Sequence, residues 1–124
     1  MTTRVAQLLD AVATHPERAN ILRAQRGIEK ESLRIDTHGL IAQTDHPYTL
    51  GSPLTHSMIT TDYSEALLEF ITPVSSSTSE TLGFLNDIHH FVYHQLDQEL
   101  LWPASMPCAL TADNDIPVAR YGSS

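Results

Sequence analysis

Ile59-Thr60-Thr61-Asp62-Tyr63-Ser64-Glu65-Ala66-Leu67-Leu68-Glu69-Phe70-Ile71-Thr72-Pro73 admits two readings, and the choice between them sets the fold class. It fits a short helix with Asp62, Glu65 and Glu69 on one surface stripe, or a turn followed by a strand over about 66–72. Pro73 ends either one. On the strand, Leu67, Glu69 and Ile71 share a face, which sets a carboxylate between two apolar side chains. An unpaired charge is costly to bury there, so Glu69 is a candidate metal ligand or ion-pair partner. The plainer alternative is a half-exposed edge strand.

Upstream, Val5, Leu8, Leu9 and Val12 follow helical spacing, with Thr2 or Thr3 as N-cap and His15-Pro16 as the stop. The spacing predicts a helix over about 3–14. Arg26-Gly27-Ile28-Glu29-Lys30-Glu31-Ser32-Leu33-Arg34-Ile35 reads as a strand, since a helix would smear Ile28, Leu33 and Ile35 around its surface. Asp36-Thr37-His38-Gly39 is a turn composition, and Leu40-Ile41-Ala42 is the return strand. The Pro- and hydroxyl-rich stretch His46 to Pro53 reads as an ordered loop.

Downstream, Ser77-x-x-Glu80 has the form of a capping box, and a helix is expected from there to about Leu100. Leu85, Ile88, Val92 and Leu96 form its apolar stripe, opposite Asp87, His90, His94 and Asp97. Trp102-Pro103-Ala104-Ser105-Met106-Pro107-Cys108 is extended or turning, because each Pro restrains itself and its predecessor. No repeat and no second domain are visible, and 124 residues with 41% hydrophobic content suit one packed core.

The net charge of −8 opposes nucleic acid and anionic membranes as partners. Six of the seven basic residues lie between Arg4 and Arg34, and the seventh is Arg120. The interval between Arg34 and Arg120 carries eleven carboxylates and no Lys or Arg, so those acids are solvated, hydrogen-bonded, paired with the basic N-terminal part or neutralised by cations. The lone Cys108 excludes an intrachain disulfide. With no signal-peptide pattern and no apolar run of roughly 20 residues, the expectation is a cytoplasmic protein.

Glu29 and Glu31 are two residues apart, so on a strand they point to one face with Cβ atoms roughly 7 Å apart. Like charges so placed repel, and persist in open solvent or around a cation; Mg²⁺ typically takes one or two carboxylates plus substrate phosphates. Gly27 lacks a Cβ and permits a close approach. His90 and His94 have i, i+4 spacing, but Phe91 stands where the zinc-protease motif has Glu, and a solvated helix face explains them. Met106-Pro107-Cys108-Ala109-Leu110 reads as the setting of a buried structural thiol. Neither glycine-rich phosphate motif is present.

Four stretches together carry a resemblance: Arg26 to Arg34, Leu54-Thr55-His56, Ile59 to Pro73, and Trp102 to Cys108. In order and spacing the chain closely resembles the N-terminal part of proteobacterial glutamate–cysteine ligase. The resemblance implies an ATP-dependent reaction joining the γ-carboxylate of L-glutamate to the amino group of L-cysteine through a γ-glutamyl phosphate, the first step of glutathione synthesis. It implies an α+β fold similar to glutamine synthetase, mostly antiparallel sheet with flanking helices, and a monomer at full length. It implies Mg²⁺ or Mn²⁺ as cofactor, with ATP as co-substrate. Carried over by motif, the metal ligands are Glu29, Glu31, Asp62 and Glu69, while Glu65 is structural.

The resemblance also favours a turn at Asp62 followed by a strand. Asp62 and Glu69 have opposite parity, so a bend between them is required if they are to share a site. Family members are several times longer. The expectation is that residues 1–124 are the N-terminal part of a single catalytic ligase domain, truncated after Ser124 and inactive alone. The competing expectation is a non-catalytic acidic module that binds divalent cations.

Overall fold

In the computed structural model, which describes residues 3–21 and 23–121, the stretch from Ile59 to Ile71 is a β-hairpin. After helices α1 (Arg4–Thr14) and α2 (Arg18–Ile21) and strand β1 (Glu29–Ile35), its arms are β2 (Ile59–Asp62) and β3 (Ser64–Ile71). Helix α3 (Thr78–Gln95) and strand β4 (Leu100–Leu101) follow. The sheet order is β2-β3-β1-β4, with every pairing antiparallel. An α+β class with a mostly antiparallel sheet is thus observed. β3 lies inside the sheet, not at its edge, because β1 and β2 flank it.

The expected bend between Asp62 and Glu69 is Tyr63, whose φ of 54° is left-handed and uphill for a non-glycine residue. The pairing register of the hairpin shifts between Thr61 and Asp62. Strand β2 is the element that the sequence pattern does not announce. It is four residues long and has one strongly apolar member, too short a run for alternation to register.

Alternation sorts the sheet into two faces. Ile59, Leu68 and Phe70 join Ile88 and Val92 of α3 and its C-cap Leu96 in the main core, with Leu50 and Leu101, and Leu85 packs against it. Each such buried side chain contributes roughly 1.5–3 kcal/mol of transfer free energy. A second cluster of Ile35, Ile41, Ala42, Ala66 and Cys108 lies beneath Trp102 and Leu110. Burial pushes the Cys108 thiol up, which suits a structural role.

Helix α1 starts as expected at Thr3, whose hydroxyl oxygen accepts the Ala6 N–H; Thr2, the other candidate cap, lies outside the described residues, as do residues 122–124. Its apolar stripe of Val5, Leu8, Leu9 and Val12 is at least half exposed, and no residue of α1 is buried. Ser77 caps α3 through the Glu80 N–H at 3.3 Å. The return half of the capping box is not made, because the Glu80 carboxylate takes the Ser75 hydroxyl and the Ser77 N–H goes to Ser75 Oγ. The helix ends at Gln95, short of the expected Leu100. Leu100 instead pairs with Ile35, and Leu101 with Arg34, so sheet pairing overrides helix propensity at that end.

The turn after β1 is as expected: Asp36 Oδ1 accepts the N–H groups of His38 and Leu40, and Gly39 takes φ 82°. Leu40-Ile41-Ala42 makes isolated bridges to Ala109 and Ile35 and is not a full strand. The loop after it includes a 3₁₀ turn, Tyr48–Leu50, that buries Leu50. Among the described residues no helix is long and apolar enough to cross a membrane.

Candidate metal and substrate face

The register of β1 against β3 places Glu31 directly opposite Glu69, Leu33 opposite Leu67 and Glu29 opposite Ile71. Thr60 of β2 lies on the other side of Glu69. Glu29, Glu31, Glu69 and Thr60 therefore occupy one face of the sheet, the face turned away from the α3 core. Asp62 follows at the exposed end of β2. Two carboxylates directly opposite across an antiparallel pair destabilise the sheet. The backbone thus gathers like charges where folding alone would keep them apart.

The electrostatics agree with that placement. Burial, then the charges of Glu29, Asp62 and Glu31, push the Glu69 carboxyl above its ordinary value. The ion pairs formed by the described residues are Arg34 with Glu99 and Arg120 with Asp45, and neither involves these four acids. Lys30, the nearest cation in sequence, alternates to the other face, where it bonds Ser32 and sits over the Phe70 ring. Among the described residues the four carboxylates have no ion-pairing cation to neutralise them.

No three His, Cys, Asp or Glu side chains among the described residues converge closely enough to form a complete metal cage. That is compatible with Mg²⁺, which keeps several waters and binds through one or two carboxylates plus substrate phosphates. An all-oxygen, negatively charged and unneutralised donor set fits a hard divalent cation. His90 and His94 of α3 join no such group.

Beside Glu31 the same face opens into a groove of about 520 Å³, bounded by Leu33, Leu67, Trp102, Met106 and Cys108. The Trp102 indole N–H donates to the Met106 carbonyl at 2.7 Å, which folds the Pro-bearing segment into the groove wall. A larger groove of about 780 Å³, lined by His46, Ser52, Gln95 and Arg120, includes none of the four carboxylates. The close approach at Gly27 is to backbone and not to a ligand, since a Cβ there would stand 3.3 Å from the Thr72 carbonyl oxygen.

Two residues behind the site escape a reading by pattern. Arg34 is wholly buried, with its guanidinium on Glu99, Thr44 and the Glu65 carbonyl. Its place among charged neighbours in the sequence gives no hint of this. Glu65 shares the parity of Glu69, yet it is buried and accepts the N–H groups of His46 at 2.9 Å and Arg120 at 2.7 Å. Burial opposes its ionisation, but those donors, with the nearby charges of His46 and Arg120, hold its carboxyl below the ordinary value. The contacts of Glu65 are those of a residue that holds the fold together.

Comparison with known proteins points the same way. A family model described as glutamate-cysteine ligase matches residues 9–124. The chain is 54% identical over 121 residues to a glutamate–cysteine ligase of Alcanivorax borkumensis, covering 98% of this chain and 22% of that protein. It is 52% identical over 124 residues to one of Pseudomonas aeruginosa, covering all of this chain and 23% of that protein. Among solved structures, the glutamate–cysteine ligase of Francisella tularensis in complex with AMP superposes with a TM-score of 0.77 at 40% identity, over 81% of this chain and 20% of that one. A bifunctional glutathione synthetase from Pasteurella multocida gives 0.76 at 31% identity, over 97% of this chain and 16% of that one.

Proposed function

The chain belongs to the glutamate–cysteine ligase family, and from that membership we propose that the full-length protein joins L-glutamate to L-cysteine using ATP. The chain spans about a fifth of the length of its curated relatives. Residues 1–124 are then the N-terminal part of a single catalytic domain, in a larger sheet similar to that of glutamine synthetase, and are inactive alone. The observation that carries the reading is the row of unneutralised carboxylates on the open face, with Glu31 facing Glu69.

In this reaction an oxygen of the glutamate γ-carboxylate attacks the γ-phosphorus of ATP, and ADP leaves. The cysteine amino nitrogen then attacks the acyl carbon of the γ-glutamyl phosphate, loses a proton, and inorganic phosphate departs. Glu29, Glu31, Asp62 and Glu69 are the residues that would hold Mg²⁺ or Mn²⁺. A metal held there would supply positive charge against the triphosphate and the charge that develops during phosphoryl transfer. Through that metal the carboxylates would set where the triphosphate lies relative to the sheet, and the absence of Lys and Arg from 35 to 119 leaves basic phosphate contacts to other parts of the ligase. ATP and a reduced cysteine substrate suit a cytoplasmic location.

The test is a γ-glutamylcysteine assay on the full-length ligase with ATP and Mg²⁺. Product that disappears when Mg²⁺ is chelated supports the assignment. A folded full-length protein that makes none refutes it and favours an acidic cation-binding module.

A further inference from the structure

We infer that Glu65 is a positioning residue for the metal site: its buried carboxylate holds the strained Tyr63 turn that presents Asp62 to Glu69. The inference rests on the carboxylate face being the metal site.

All of the polar groups of Glu65 are engaged, and with separate parts of the chain. Its Oε1 accepts the His46 N–H at 2.9 Å, and its Oε2 accepts the Arg120 N–H at 2.7 Å. Its own N–H donates to the Pro117 carbonyl at 2.9 Å, and its carbonyl accepts from Arg34 Nη2 at 2.9 Å. Next to it Ser64 bridges Val118, and the Tyr63 carbonyl accepts the Ala119 N–H at 2.8 Å. Residues 117–120 thus form a strap along Tyr63 to Glu65, and the Glu65 carboxylate ties that strap and the loop at His46 to the hairpin.

The turn needs such support. Tyr63 is 77% exposed, so its side chain has little packing to hold it, yet its backbone stays at φ 54°. Strain of this kind persists only where the surroundings over-determine it. Asp62 makes no side-chain hydrogen bond to the described residues, and its position follows from the turn and from the shifted pairing with Ser64 that the turn closes. If the strap loosens, Tyr63 can relax toward an ordinary conformation and Asp62 moves away from Glu69. Gln at position 65 keeps one acceptor oxygen but sets an amide NH₂ against the second N–H.

The test is Mn²⁺ binding to the full-length ligase, read by electron paramagnetic resonance, with thermal midpoints recorded alongside. Glu65→Gln should weaken Mn²⁺ by about tenfold, the range seen when groups behind a metal ligand are lost. Tyr63→Asn in the same background should recover affinity, because Asn enters the left-handed region more readily. Ala119→Pro, which removes the N–H on the Tyr63 carbonyl and leaves Glu65 intact, should also weaken binding and serves if Glu65→Gln does not fold. Unchanged Mn²⁺ affinity in folded Glu65→Gln or Ala119→Pro protein, even with a lowered midpoint, overturns the inference while leaving the metal site standing. Wild-type binding that Glu69→Gln does not reduce overturns the metal site itself, and the inference with it.

Discussion

Arg34 shows how much of this site is built from residues that face away from it. Its guanidinium is fully buried, 2.6 Å from Glu99, and donates to Thr44 and to the Glu65 carbonyl. Arg34→Met keeps much of the side-chain volume but leaves Glu99 without its cation and three acceptors, the Thr44 hydroxyl and the Thr44 and Glu65 carbonyls, without this donor. The expected loss is about 3–5 kcal/mol, the usual result of removing one partner of a buried pair. Urea denaturation of wild type and variant measures it, and a loss under about 1 kcal/mol would contradict the arrangement. His46 adds a pH signature. Burial, then the Arg34 charge, pushes its imidazole below the ordinary value against the opposing pull of Glu65, with His56 also nearby. Its folded value is lower than its unfolded one, so stability is lost as pH falls from about 6.5. Glu65 and Asp36, also lowered, add a second loss below about 4.3, while Glu69, raised, gives an opposite contribution. Urea midpoints measured across a range of about pH 3–8 should show both steps, and His46→Gln should remove the first.

At the scale of elements, the sequence was informative where a local signal met no tertiary competitor. Thr3 and Ser77 cap their helices as expected. Ser77→Ala should cost about 1 kcal/mol, read as a lower urea midpoint with an unchanged slope. The end of α3 was not legible, because Leu96-Asp97-Gln98-Glu99 contains no glycine or proline stop, and the pairing of Leu100 and Leu101 with β1 decides it. The hairpin was legible only as an alternative to a helix. Once Asp62 and Glu69 are required to share a site, parity demands a bend, and Tyr63 supplies it. The exposed stripe of α1 has the pattern of a core-facing helix, yet among the described residues none of its side chains is buried. Helical periodicity reports an apolar face and not what covers it.

For the molecule as a whole, the asymmetry of charge along the chain becomes an asymmetry between faces. Glu29, Glu31 and Glu69 gather on the open side of the sheet, whereas Lys30 and Arg34 alternate to the other side. The pairing of Glu31 with Glu69 was out of reach of spacing, since it depends on the register between two strands separated by a long loop and a hairpin arm. The most direct measurement is a crystal structure of the full-length protein with Mn²⁺ and a non-hydrolysable ATP analogue, with the metal located by anomalous scattering. The expected result is Mn²⁺ in direct contact with carboxylate oxygens drawn from Glu29, Glu31, Asp62 and Glu69 and with the analogue's phosphates. Metal and phosphates bound elsewhere, with this face bare, would contradict the assignment.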